Sequence, residues 1–143
     1  MRTSKLPVLS VLLLLSIGCA TRYEYTIIFE QGLPPNNTEL VRAVDNALKI
    51  ITDEFSFTYH VNRVDNGQPV SFYHKRYSYS LNEPISLLFL HNDLIIRLSS
   101  NDRNTDEIEG LKRRLLEEIG KIAGSEKIKI EEKDVPRPWF DSV

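Results

Sequence analysis

The residues able to do chemistry in this chain are few and scattered. One cysteine, Cys19, stands directly behind an apolar N-terminal run, and three histidines lie at 60, 74 and 91. A thiol so placed is a nucleophile open to modification, and three imidazoles are a set to be tested as metal ligands or general bases. The chain has no Gly-x-Ser-x-Gly elbow, no phosphate-cradling glycine loop and no His-Glu-x-x-His pair. The histidines can be tested by strand register. Asn66-Gly67 is a strong signal for a two-residue hairpin turn, because both positions accept a positive φ. Such a turn pairs Asp65 with Gln68, Tyr59 with His74 and His60 with Tyr73. Alternation then sends His60 and His74 to opposite faces of the sheet, where they cannot share a metal. His91, beside Asn92-Asp93, reads as a turn residue. The histidines therefore predict no metal site, the motifs predict no cofactor, and no catalytic residue is assigned.

Cys19 has a more specific context. Arg2 and Lys5 precede an apolar run from Leu6 to Ile17, shorter than the roughly 20 residues a bilayer-spanning helix needs. The run closes on Leu15-Ser16-Ile17-Gly18-Cys19-Ala20, which resembles the lipobox of a bacterial prolipoprotein. In that family the cysteine thiol receives a diacylglyceryl group and a peptidase cuts just before it. Gly18 matches the small residue preferred there, while Ser16 stands where Leu is preferred and Leu15 lies one position further out. The resemblance implies a signal peptide over 1–18, a lipidated Cys19 with a short tether over 19–22, and attachment to the membrane through N-terminal acyl chains. Ala20, in place of Asp, is similar to the outer-membrane sorting pattern, so the implied location is the cell envelope, on the outer membrane facing the periplasm. Gly18-Cys19-Ala20 is also a small-x-small triplet, and cleavage after Ala20 would instead release a soluble secreted domain.

Composition bounds the remainder. Removing residues 1–18 from 143 leaves 125, and the loss of Arg2 and Lys5 moves the net charge from −2 to −4. That size suits one domain. A mildly acidic domain has no electrostatic footprint for nucleic acid. With Cys19 acylated it has no thiol and no disulfide, so packing alone must stabilise it.

The elements follow from periodicity. Tyr23, Tyr25, Ile27 and Phe29 alternate as a strand that begins almost at the membrane surface. Leu40, Val44, Ala47, Leu48 and Ile51 form one stripe of a helix opened by Asn36 and Glu39. Four strands follow: 55–62, 70–80, 85–90 and 94–98. Asn104 with Glu107 opens a second helix, with Ile108, Leu111, Leu115, Ile119 and Ile122 inward and Gly124 at its end. Arg113 with Glu117 and Arg114 with Glu118 mark its wet face. A last strand covers 127–131. The prediction is an α+β two-layer sandwich, a mainly antiparallel sheet in the order β-α-β-β-β-β-α-β with two helices on one face. It resembles a ferredoxin-like plan enlarged by a hairpin. The single domain spans 23–134, and a Pro/aromatic tail with Trp139 and Phe140 spans 135–143.

Face assignments carry the functional expectation. Phe55, Phe57, Tyr59, Val61, Val70 and Phe72, continued by His74, are expected toward the helices, as are Leu87, Phe89, Ile96 and Leu98. The opposite face would then carry Tyr73, Lys75, Tyr77 and Tyr79 with Leu88, Leu90 and Ile95 beside Arg97. A two-layer domain should be polar there. Either the tail folds across this face or the face binds another protein, since tyrosine, leucine and arginine together make a typical contact surface. The reading that follows is an anchored envelope lipoprotein whose periplasm-facing domain is a protein-binding or assembly module. Two alternatives stand beside it: a small cell-wall or carbohydrate-directed hydrolase, and a carrier of a small apolar ligand.

Overall fold

The computed structural model describes residues 21–30, 38–75, 85–101 and 105–136. The elements run β1 (Thr21–Phe29), α1 (Thr38–Glu54), β2 (Tyr59–Asp65), β3 (Gln68–His74), β4 (Ser86–Leu90), β5 (Ile95–Ser100), α2 (Asp106–Ala123) and β6 (Ile128–Pro136). The six strands form one sheet in the order β2-β3-β4-β5-β1-β6, antiparallel at every step. Both helices pack on one face. The fold is therefore α+β, in the predicted element order.

The helices bury the stripes their spacing dictates. Val44, Leu48 and Ile51 on α1, with Ile108, Leu111, Leu115 and Ile119 on α2, are fully buried. They meet Ile27, Leu87, Phe89, Ile96 and Leu98 from the sheet, so the predicted inward residues of β4 and β5 are in the core. Neither helix is long and apolar enough to cross a membrane.

Local chemistry sets the joints. Asn66 and Gly67 both have positive φ, 50° and 81°, and the register across the turn is the predicted one, Asp65 opposite Gln68 and Tyr59 opposite His74. Helix α1 ends in a reverse-turn cap. The Phe57 amide donates to the Thr52 carbonyl at 2.9 Å and the Ser56 amide to that of Asp53 at 3.2 Å, with Ser56 at φ 61°. Phe55 and Phe57 are thus cap residues packed on the core rather than the start of a strand, which begins at Tyr59. This corrects the expected strand over 55–62.

Two further boundaries move. The N-cap of α2 is Thr105, whose Oγ1 accepts from the Ile108 amide at 3.2 Å, not Asn104. Strand β6 runs to Pro136, pairing with β1 from Phe29–Ile128 to Thr21–Pro136. It is an edge strand, where Pro136 is tolerated because no neighbour needs its missing donor. The predicted cap at Asn36 lies outside the described residues.

Candidate functional site

Register sorts each strand into a helix-facing side and an outer side. One outer row crosses Arg63, Val70, Leu90, Ile95, Ile28 and Lys129, and the next crosses Val61, Phe72, Leu88, Arg97, Thr26 and Glu131. Leu88, Leu90 and Ile95 therefore stand where expected, half-buried beside Arg97. Arg63 covers the Phe72 ring, its guanidinium carbon 5.1 Å from the centroid. The Arg97 Nε lies 3.9 Å from Glu24, an ion pair beside the apolar centre.

Tyr73 and Lys75 are corrections. Tyr73 faces the helices and is 2% exposed. Its hydroxyl donates to Asp45 on α1, 3.2 Å to Oδ1 and 3.3 Å to the carbonyl. Lys75 forms an ion pair with Glu107 in the first turn of α2. Conversely Val61, Val70, Phe72 and His74 belong to the outer face. The register is the expected one and the parity is inverted, because Phe55 and Phe57 belong to the cap of α1 and do not set the alternation of β2. His60 and His74 still lie on opposite faces, exchanged. His60 stacks on Tyr73 with ring centroids 4.4 Å apart and planes within 2°, and His74 lies beside Phe72. Burial and the nearby Arg22 charge push the His74 pKa down. Tyr77, Tyr79 and Cys19 lie outside the described residues.

Two polar clusters under the helices were not visible in the sequence. The first brings together Ser71, His91 and Asp45, the residue types of a nucleophile relay. His91 Nε2 is 2.8 Å from Ser71 Oγ and 3.4 Å from Asp45 Oδ2. A relay needs the serine on one ring nitrogen and the carboxylate on the other. Here both meet Nε2, and Ser71 is fully buried, so no substrate can reach the hydroxyl. The cluster ties β3, the 91–94 turn and α1 together.

The second cluster centres on Lys112 of α2. Its Nζ lies 2.9 Å from Glu132 and 3.1 Å from Glu109, and 5.5 and 5.3 Å from the ring centroids of Tyr23 and Tyr25. Tyr23 donates to Glu132 at 2.5 Å. Burial alone would lower the lysine pKa, but the bonds to Glu132, Tyr23 and Glu109 outweigh it and hold the ammonium charged. A charged amine so enclosed is not a nucleophile. Burial, followed by the Glu132 hydrogen bond, raises the Tyr23 pKa, and burial pushes that of Tyr25 up to about 12. Neither phenol is a base near neutral pH. The cluster clamps α2 and β6 onto β1.

Both clusters thus fit interlocks better than a reaction centre, and the outer row remains as the candidate site. In comparison with known proteins the chain matches no family model, and no curated protein matches it.

Proposed function

We infer that the chain is an envelope lipoprotein, anchored through an acylated Cys19, whose domain is a protein-binding or assembly module working through the outer face of its sheet. One observation carries the binding reading. Both described helices lie on one face, and the other carries Val61, Phe72, Leu88, Leu90 and Ile95, each half-buried, around Arg97 and a fully buried Val70, in place of the polar residues expected of a solvated face. Aromatic, aliphatic and guanidinium groups together are the composition from which binding hot spots are drawn. The anchor rests on Leu15 to Ala20, and the envelope location follows from it.

Two measurements test the reading. Intact mass of the membrane fraction should give a chain that begins at Cys19 and carries acyl chains, lost in Cys19→Ser; an unmodified chain beginning at Thr21 sinks the anchor. A photoreactive side chain at position 88 should yield a discrete adduct in cells, abolished by Ile95→Arg without loss of folding. Adducts equally abundant from position 117 on the outside of α2 would show that contact is not specific to this face.

A further inference from the structure

We propose that the domain stands on the lipid surface on the end of the sheet where β1 begins, so that its outer face meets a partner held at the same membrane. This rests on the Cys19 anchor. Only Ala20 separates Cys19 from Thr21, and at Thr21 the chain is already in the sheet. Thr21 pairs with Pro136 and Arg22 with Val135 on one side, and Tyr23 pairs with Ser100 on the other. Arg22 also donates to Ser86 Oγ at 3.2 Å, reaching past β5 to β4. With neighbours on both sides, the start of β1 cannot peel away to lengthen the tether without breaking ladder bonds.

The distances limit how far Thr21 can stand from the acyl chains. Two residues of extended chain reach at most about 7 Å. A single headgroup layer is roughly 5–8 Å thick, from the difference between the whole bilayer and its hydrocarbon core. The sheet therefore starts at the outer boundary of the headgroups. The nine residues of β1 then carry the chain about 30 Å further. Because every neighbouring pair is antiparallel, the strand ends sort into two sets. Thr21, His74, Ser86, Ser100 and Pro136 share the anchor end. The Asn66-Gly67 turn and the 91–94 turn share the far end.

With strands upright, Leu88, Leu90 and Ile95 stand on a wall rising from the membrane. A protein anchored in that membrane and projecting to a similar height meets the wall side-on, with both partners confined to two dimensions. The short tether thus narrows the kind of partner as well as the orientation.

Depth-dependent quenching tests the orientation. Single thiols introduced as Pro136→Cys, Glu131→Cys and Val64→Cys carry a fluorophore, and acylation leaves Cys19 unreactive. Val64 is 70% exposed beside the far turn, and Glu131 sits midway on the outer face. The lipoprotein is placed in phosphatidylethanolamine–phosphatidylglycerol vesicles with a headgroup nitroxide. The expected result is strong quenching at 136, weaker quenching at 131 and none at 64. Quenching at 131 as strong as or stronger than at 136, the signature of a domain lying on its outer face, overturns the proposal, as does none at 136. Intact mass of the same sample separates the two failures: an acylated protein without the gradient sinks the orientation alone, and an unacylated one sinks the anchor with it. A long Gly-Ser spacer between Ala20 and Thr21 should erase the gradient while leaving acyl mass and melting unchanged. A gradient that survives the spacer refutes the tether as its cause.

Discussion

The Tyr73 hydroxyl crosses from β3 to the carboxylate of Asp45 on α1, 3.2 Å away, so a residue that alternation places on a contact face instead bolts the helix layer to the sheet. Truncation should therefore cost stability rather than partner capture. Tyr73→Phe is expected to lose about 1 kcal/mol, the value of one partly buried hydrogen bond. Tyr73→Ala should lose roughly 3–5 kcal/mol, as other aromatic truncations in cores do. Urea denaturation of the two variants checks both. A Tyr73→Ala domain as stable as the parent would place the ring outside the core.

Tyr25 has a buried hydroxyl with no hydrogen-bond partner. Leaving a buried donor unpaired costs free energy, and deleting it removes that cost. Tyr25→Phe should be neutral or stabilising by up to about 1 kcal/mol. The pH dependence has a definite sign. The folded pKa, pushed up to about 12, lies above the ordinary 10.0, so the contribution is intact below pH 10 and lost as pH rises toward 12. Thermal melts between pH 9 and 12 should show a shallower alkaline decline for Tyr25→Phe than for the parent.

Arg114 bridges the two helices with a bidentate pair to Glu54, 2.9 and 2.8 Å, and reaches Glu118 at 3.0 Å. The Arg114 bond lowers the Glu54 pKa, and bonds from Lys121 and then Arg114 lower that of Glu118. Depressed carboxylate values mean stability present above the ordinary glutamate range and lost as pH falls through the folded values. Arg114→Gln should therefore melt earlier than the parent at neutral pH and low salt. The difference should shrink on acidification and in high salt, because the pair is solvent-exposed and screened. Melts that differ equally at pH 3 and pH 7 would assign the loss to packing of the arginine stem.

Ser56 sits at φ 61° in the cap of α1, a conformation that costs a side-chain-bearing residue about 1–2 kcal/mol. Glycine there relieves the strain but adds freedom to the unfolded chain. Ser56→Gly should thus raise stability by about 0.5–1 kcal/mol, read as a higher urea midpoint at unchanged slope. A lower midpoint would show that the serine hydroxyl holds the cap.

What was legible in the sequence follows the range of the forces involved. Leu40, Val44, Ala47, Leu48 and Ile51 declare a helix because a 3.6-residue period is a local property, and they are buried as read. Asn66-Gly67 declares its turn and register for the same reason. Parity is different. Alternation says that neighbours point apart and leaves open which side meets the helices. Phe55 and Phe57 settled that choice wrongly, because cap hydrophobics two residues apart imitate a strand. The polar clusters were beyond reach for another reason. Asp45, Ser71 and His91 come from a helix, a strand and a turn, and Lys112 meets Tyr23 and Glu132 only once the sheet has closed. The length of β6 was hidden because Glu131 to Asp134 are charged on both sides of an edge strand, so no apolar alternation marks it.

That edge has a consequence for crowding. Strand β6 exposes a nine-residue margin with Lys129, Glu131 and Lys133 along its outer side. Two copies joined edge to edge, antiparallel about Glu131, would set Glu131 against Glu131 and Lys129 against Lys133. Parallel, in-register stacking would oppose like charges at every position. A protein tethered to a surface meets its own copies far more often than one in free solution. Held to a membrane as proposed, the domain would meet its copies often, and the charge order of β6 disfavours edge pairing in these two registers.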